Sequence, residues 1–120
     1  MKKRTDREIL NEILQVKNRD LDRVDLSKFD DTINKMTSFA LYFKDLSGSH
    51  HYRLLSYISN LLYNEDVYDI GADNGCSGLA LSDNESINVF SYDIVYREEI
   101  SLINRNNFQF FIENILDTSP

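Results

Sequence analysis

Residues 67–93, VYDIGADNGCSGLALSDNESINVFSYD, gather the groups of this chain whose types and spacing suit chemistry. Gly71 and Gly75 enclose Ala72, Asp73 and Asn74 in a turn. Before the turn runs Val67-Tyr68-Asp69-Ile70, short, apolar and of strand character. Gly71 stands where the backbone must turn sharply or pass close to a ligand, which a Cβ hinders. Gly75 precedes Cys76-Ser77-Gly78-Leu79-Ala80-Leu81, small and apolar enough for a helix packed tightly on a sheet. With no side chain at Gly75, a ligand can lie against the helix N-terminus, where free N–H groups attract anions. Ser77 adds a hydroxyl suited to a carboxylate or phosphate, and Gly78 lets the helix approach the strand.

A second strand candidate, Ile87 to Tyr92, ends at Asp93. That acid lies about 20 residues past the turn, where an acid closing a second strand accepts hydrogen bonds from ribose hydroxyls. Strand, glycine turn, helix, strand and terminal acid follow the order of a nucleotide-binding βαβ unit. The dinucleotide fingerprint G-x-G-x-x-G would need glycine at position 73, and Asp73 is there instead. An aspartate in that turn repels a pyrophosphate. It suits a cationic ligand, such as the sulfonium and amino group of S-adenosylmethionine (SAM), and Asp69 adds to the same anionic rim.

The string D-I-G-A-D-N-G-C-S-G-L-A-L-S at residues 69–82 resembles motif I of class I SAM-dependent methyltransferases. Its G-x-x-x-G-x-S form is similar to that of catechol O-methyltransferase-like enzymes. The resemblance covers roughly residues 52–117. It implies that Gly71 and Gly75 frame the methionine part of SAM, that Ser77 binds its carboxylate, and that Asp93 holds the ribose. It extends the cofactor site to Asp69, Ala72 and Asp73, and to Glu113 and Asn114 as adenine contacts after the third strand candidate, Phe108–Ile112. The family commonly has a small residue near that last position, so Glu113 departs from the pattern.

The same comparison shows what is missing. The family's fourth strand carries many of its catalytic or metal-binding acids, and no segment after residue 117 supplies it. The expectation is an α/β fold, N-terminal helices followed by a partial Rossmann-like βαβαβ parallel sheet. Residues 1–48 form the helical segment and 49–120 the SAM-binding unit, in one compact domain. The first strand then has an open edge, to be shielded by the N-terminal helices, by a second copy or partner chain, or by further sequence. Two functions follow. One is a methyltransferase or its SAM-binding half, acting on the oxygen of a small hydroxylated acceptor, with no catalytic residue assignable. The other is a non-catalytic SAM-binding or protein-interaction module on a shortened scaffold.

Composition narrows the class. The chain has 120 residues, enough for one small domain, and a formal net charge of −7. That balance argues against a broad nucleic-acid face and against anionic membranes. No apolar run reaches the length of a membrane span, and Met1-Lys2-Lys3-Arg4 leads into Thr5-Asp6-Arg7-Glu8 rather than an apolar signal core. A cytoplasmic location is expected. The single cysteine, Cys76, excludes an internal disulfide and a Cys-rich zinc site, and no metal site is expected.

The elements that must position the turn can also be read. Thr5-Asp6-Arg7-Glu8 is a capping box, followed by Ile9, Leu10, Ile13 and Leu14 on one helical face to about Lys17. Residues 18–27 read as a loop or short turn. A second amphipathic helix is expected over 29–44, capped by Asp30 or Asp31, with Ile33, Met36, Ala40 and Phe43 inward. A third runs over 49–63. Adjacent His50 and His51 point about 100° apart on it and do not chelate one metal together. Residues 94–107 hold a short helix with Ile100 and Ile103 inward.

Overall fold

The computed structural model describes residues 3–36, 43 and 49–113. Helix α1, Asp6–Gln15, starts at the expected capping box: the Glu8 N–H donates to Thr5 Oγ1 at 3.2 Å and the Thr5 N–H to Glu8 Oε1 at 3.0 Å. It ends where Val16 turns extended. Ile9 and Ile13 are half-buried, whereas Leu10 and Leu14 stay exposed. Tyr57 donates to Glu12, Arg4 donates to the Leu61 carbonyl, and Lys3 pairs with Glu65.

Three stretches differ from the sequence expectation, each for a local reason. Residues 18–27 contain a one-turn helix, α2, Asn18–Asp22, because Asp20 accepts the Lys17 N–H and Leu21 is buried. The helix expected over 29–44 is α3, Asp30–Asn34, entered through a 3-10 turn at Ser27–Phe29. Phe29 is its cap, and both aspartates lie in its first turn. The Lys35 and Met36 N–H groups bond back to Thr32 and Ile33, tightening the last turn and ending the helix. Ala40 and the rest of that span, apart from Phe43, lie outside the described residues. Helix α4, Ser49–Ser59, stops short of residue 63. There the Leu61 and Leu62 N–H groups bond back to the Ile58 and Ser59 carbonyls, tightening the last turn and ending the helix.

The strands are β1, Asp66–Ile70, β2, Asn88–Asp93, and β3, Phe108–Ile112. They form an all-parallel sheet in the order β1-β2-β3, the α/β architecture expected. Between β1 and β2 lies α5, Cys76–Leu81. Between β2 and β3 there is a 3-10 segment, Glu98–Leu102, rather than an α-helix, with Ile100 buried and Ile103 packed on the Cys76 cluster. Alternation puts Val67, Asp69, Val89, Ser91 and Phe108 on the α5 face. Tyr68, Ile70, Phe90, Tyr92 and Phe111 point the other way.

The core lies on the α5 side. Leu26, Phe29, Ile33 and Phe43 from the N-terminal segment pack with Cys76, Leu79 and Ala80 of α5, so the helical segment caps the helix that rests on the sheet. Phe43 meets Phe29 edge-on at 5.8 Å and stacks on Tyr52 at 4.9 Å. A second cluster, Leu81, Ile87 and Val89 with Val67 and Phe108, joins α5 to the sheet. Gly78 makes this approach possible: a Cβ there would run into the Phe108 ring and come within 2.6 Å of Ser91 Oγ. Gly78→Val is expected to lower stability by about 2–3 kcal/mol, read from the urea midpoint, because the packed layer has no room to yield.

Asp83, just past α5, ties three parts of the chain together. Its carboxylate accepts from the Lys28 ammonium, the Ser56 hydroxyl and the Asn60 amide. Burial pushes this carboxyl up, but the hydrogen bonds from Lys28, Ser56 and Asn60 outweigh it and leave it below the ordinary 3.8. A carboxyl lowered by folding binds fewer protons in the folded state. Its stabilisation is present above the unfolded value and is lost as pH falls through the folded one. Asp83→Asn is therefore expected to cost about 2 kcal/mol at pH 7. In urea melts, the gap from the unaltered protein should close below about pH 4.

Candidate functional site

The turn between β1 and α5 is held at the carboxyl end of the sheet by backbone bonds. The Gly71 and Ala72 N–H groups both donate to the Tyr92 carbonyl, at 2.8 and 3.0 Å. Gly71 has φ +80° and an ideal Cβ there would meet nothing within 4 Å, so its need for glycine is conformational and the space beside it is open. Asp73 is itself left-handed, with φ +50°. Its N–H donates to Asp93 Oδ2 at 2.9 Å, and its carboxylate pairs with Arg97 at 2.6 Å. Asn74 is buried and its side chain accepts the Cys76 N–H at 3.1 Å, so this chain supplies a partner for the first N–H of α5.

Gly75 has a different use from the one read in the sequence. It is buried, with φ +91°, and a Cβ would meet Ile103 Cδ1 at 2.5 Å and Ile100 Cγ1 at 3.3 Å. The room it leaves is filled by the segment that follows β2. Ser77 is also engaged within the chain: its Oγ–H donates to the Asp69 carboxylate, with oxygens at 2.9 and 3.1 Å. The Ser91 hydroxyl donates to the same carboxylate at 2.9 Å. Asp69 is thus fixed by hydroxyls from α5 and β2, and Ser77 retains lone pairs rather than a proton for any ligand.

Asp69, Ile70, Gly71, Ala72, Asp73, Asn74 and Ser77 line a cavity of about 330 Å³, closed on one side by His51, Tyr52 and Leu55 of α4. That size lies at the low end of small-molecule sites. Burial first, and then surrounding negative charges including Asp73 and Asp69, push the Tyr52 phenol up, so it stays a neutral hydroxyl near pH 7. Five of the residues read from the sequence, Asp69, Gly71, Ala72, Asp73 and Ser77, therefore share one wall. Asp93 stands beside it, joined through Asp73. The backbone N–H groups of Asp73 and Val95 hold the Asp93 carboxyl below its usual range. Glu113 extends the sheet ladder through its N–H to the Asp93 carbonyl at 3.0 Å, with an exposed side chain. Asn114 lies outside the described residues.

Sequence reasoning missed Tyr52 and Leu55. The signal was their i, i+3 spacing in the helix just before β1, on the side that must face the strand-to-helix turn. The two histidines separate as helical geometry requires, His50 to Asp22 at 2.8 Å and His51 to the cavity. A larger cavity, about 580 Å³, lies at the opposite, amino-terminal end of β2 and β3. Its Arg105 and Asn107 are spent on the Ser82, Asn84 and Ile87 carbonyls, which marks it as a structural corner. Among the described residues no group of three or more His, Cys, Asp or Glu is placed to hold a metal, and no helix is long and apolar enough to cross a membrane.

Comparison of the chain with protein-family models, curated proteins and solved structures finds no match in any of the three.

The cavity wall can be tested at Cys76, which opens α5. Burial first, with Asp73 and Glu99 adding, pushes its thiol up to about 12. Iodoacetamide at pH 8 is expected to leave the native protein unlabelled and to label it fully in urea, read by mass spectrometry. Labelling of the native protein at the rate of a free thiol would show that the N-terminus of α5 is open to solvent.

Proposed function

We propose that the chain binds S-adenosylmethionine in the cavity beside β1 and forms the SAM-binding part of a methyltransferase acting on the oxygen of a small hydroxylated acceptor. The observation that carries this reading is the acidic turn against an open glycine: Asp69 and Asp73 flank Gly71 in one cavity wall at the carboxyl end of a parallel sheet. A cationic sulfonium or ammonium is stabilised there, and a pyrophosphate is not. Asp69, held by Ser77 and Ser91, is pre-organised to accept from an ammonium, and Ser77 can accept beside it. Asp93 takes the Asp73 N–H on one oxygen and the Val95 N–H on the other, and each oxygen keeps a lone pair for a ribose hydroxyl.

Bound SAM supplies an electrophilic methyl group to an attacking nucleophile. This chain's own part is binding and positioning. Tyr52 and Leu55 cover the turn and exclude water, while Asp69 offsets positive charge and Asp73 is held by Arg97. The reading goes with a cytoplasmic protein. A second reading, a non-catalytic SAM-binding or interaction module on the same scaffold, draws support from the sheet face opposite α5, where Tyr68 and Ile70 are exposed.

Calorimetric titration with SAM and with S-adenosylhomocysteine tests the reading. Micromolar binding is expected, weakened at least about tenfold in Asp93→Ala, the loss of charge-assisted hydrogen bonds to the ribose. Titration that gives no heat with either compound, in protein whose circular dichroism is unchanged, would remove the cofactor from this cavity.

A further inference from the structure

Asn74-Gly75 is the one Asn-Gly pair in the chain, and it lies in the turn that builds the cavity. The pair carries its own chemistry. The Gly75 backbone nitrogen can attack the Asn74 side-chain amide carbon and close a succinimide ring. Glycine favours the step because no Cβ hinders the approach. In the folded turn both reacting groups are held. The Gly75 N–H donates to the Ala72 carbonyl at 2.9 Å, so the attacking nitrogen keeps its proton. Asn74 Oδ1 accepts the Cys76 N–H at 3.1 Å, which fixes the amide toward α5. Asn74 is 8% exposed, and Ile100 and Ile103 roof Gly75, so hydroxide is kept from both groups.

Charge opposes the reaction as well. The deprotonated nitrogen and the ring-closing intermediate are anionic. Asp69 and Asp73 line the same wall, Asp93 is bonded to the Asp73 N–H, and Arg97 offsets one of the three carboxylates. Burial first, and then Asp73 and Glu99, already disfavour a negative charge at Cys76, two residues on from Asn74.

We propose that Asn74 is a latent modification site: the closed turn holds it as the amide, and opening of the turn converts it to aspartate or isoaspartate. The Gly75 N–H loses its proton to hydroxide, the nitrogen bonds to Asn74 Cγ, and the Cγ–Nδ2 bond breaks. The departing nitrogen takes a proton from water and leaves as ammonia. Water then opens the succinimide at either carbonyl. Attack at Cγ gives aspartate. Attack at the backbone carbonyl gives isoaspartate, in which the main chain runs through the side-chain carbon. Neither product restores the turn. Aspartate places a carboxylate in a buried position beside Asp73. Isoaspartate adds a backbone atom just before Gly75, which sits under Ile103 with no room for even a Cβ. The change therefore marks irreversibly each molecule whose turn has opened. This inference is independent of any cofactor in the β1 cavity.

The full chain incubated at pH 8, in buffer and in guanidinium chloride, tests it. Peptide mass spectrometry with fragmentation that separates aspartate from isoaspartate reads position 74. Deamidation there is expected in denaturant and at least about tenfold slower in buffer, since reaction through the open turn scales with its population. Ile103→Ala unroofs Gly75 and leaves the reacting pair in place, so it should speed the reaction in buffer and not in denaturant. Should that variant fail to fold by circular dichroism, the comparison of buffer with denaturant stands alone. The isoaspartate form, separated by ion exchange and returned to buffer, should unfold at lower urea than the unaltered protein. Equal rates in buffer and denaturant, no reaction at Asn74 in either, or an isoaspartate form as stable as the unaltered protein would overturn the proposal.

Discussion

The absence of a side chain at Gly78 is the constraint on which the rest of this structure depends. It lets α5 lie so close to β2 and β3 that the Phe108 ring and the Ser91 hydroxyl occupy the place of a Cβ. The close approach brings Ser77 and Ser91 onto one carboxylate, Asp69, from two different elements. It also leaves the far side of α5, with Leu79 and Ala80 fully buried, as the floor on which Leu26, Phe29, Ile33 and Phe43 pack. One short helix thus serves as the core of both layers. A larger residue would push α5 away from the sheet and loosen both the Asp69 site and the core.

The turn ahead of α5 combines two kinds of glycine. Gly71 gives a left-handed backbone with open space beside it, while Gly75 gives a left-handed backbone roofed by Ile100 and Ile103. The cavity therefore opens on the Gly71 side, under Tyr52, and the Gly75 side is closed by the chain itself. This division makes the wall acidic rather than anion-binding. The first helical N–H is bound by Asn74 and the Asp73 carboxylate by Arg97, and the acidic group that lines the cavity without a cation beside it is Asp69.

Much of the framework was legible locally. The capping box at Thr5 and Glu8, the apolar runs of the three strands, the small residues of α5 and the acid closing β2 all act over a few residues, so their physics is contained in the sequence. Helix lengths were less legible. Helices α3 and α4 end in N–H bonds to the third residue back, such as Met36 to Ile33 and Leu62 to Ser59, against a periodicity that favours continuation. Of the site, five wall residues adjacent in sequence were readable. Tyr52 and Leu55 were not, because they arrive from another element.

The sequence by itself determined the parallel α/β class and the glycine, hydroxyl and acid positions of the turn, since strand alternation, glycine conformation and helix periodicity are short-range properties. Only the tertiary structure decided what those residues do. It gave the Ser77 proton to Asp69 and covered Gly75 with Ile103. It also left Tyr68 and Ile70 in solvent. Each of these outcomes rests on which distant segment lies nearby, and that is set by the handedness of the crossovers and the packing of α5, not by any local run of residues.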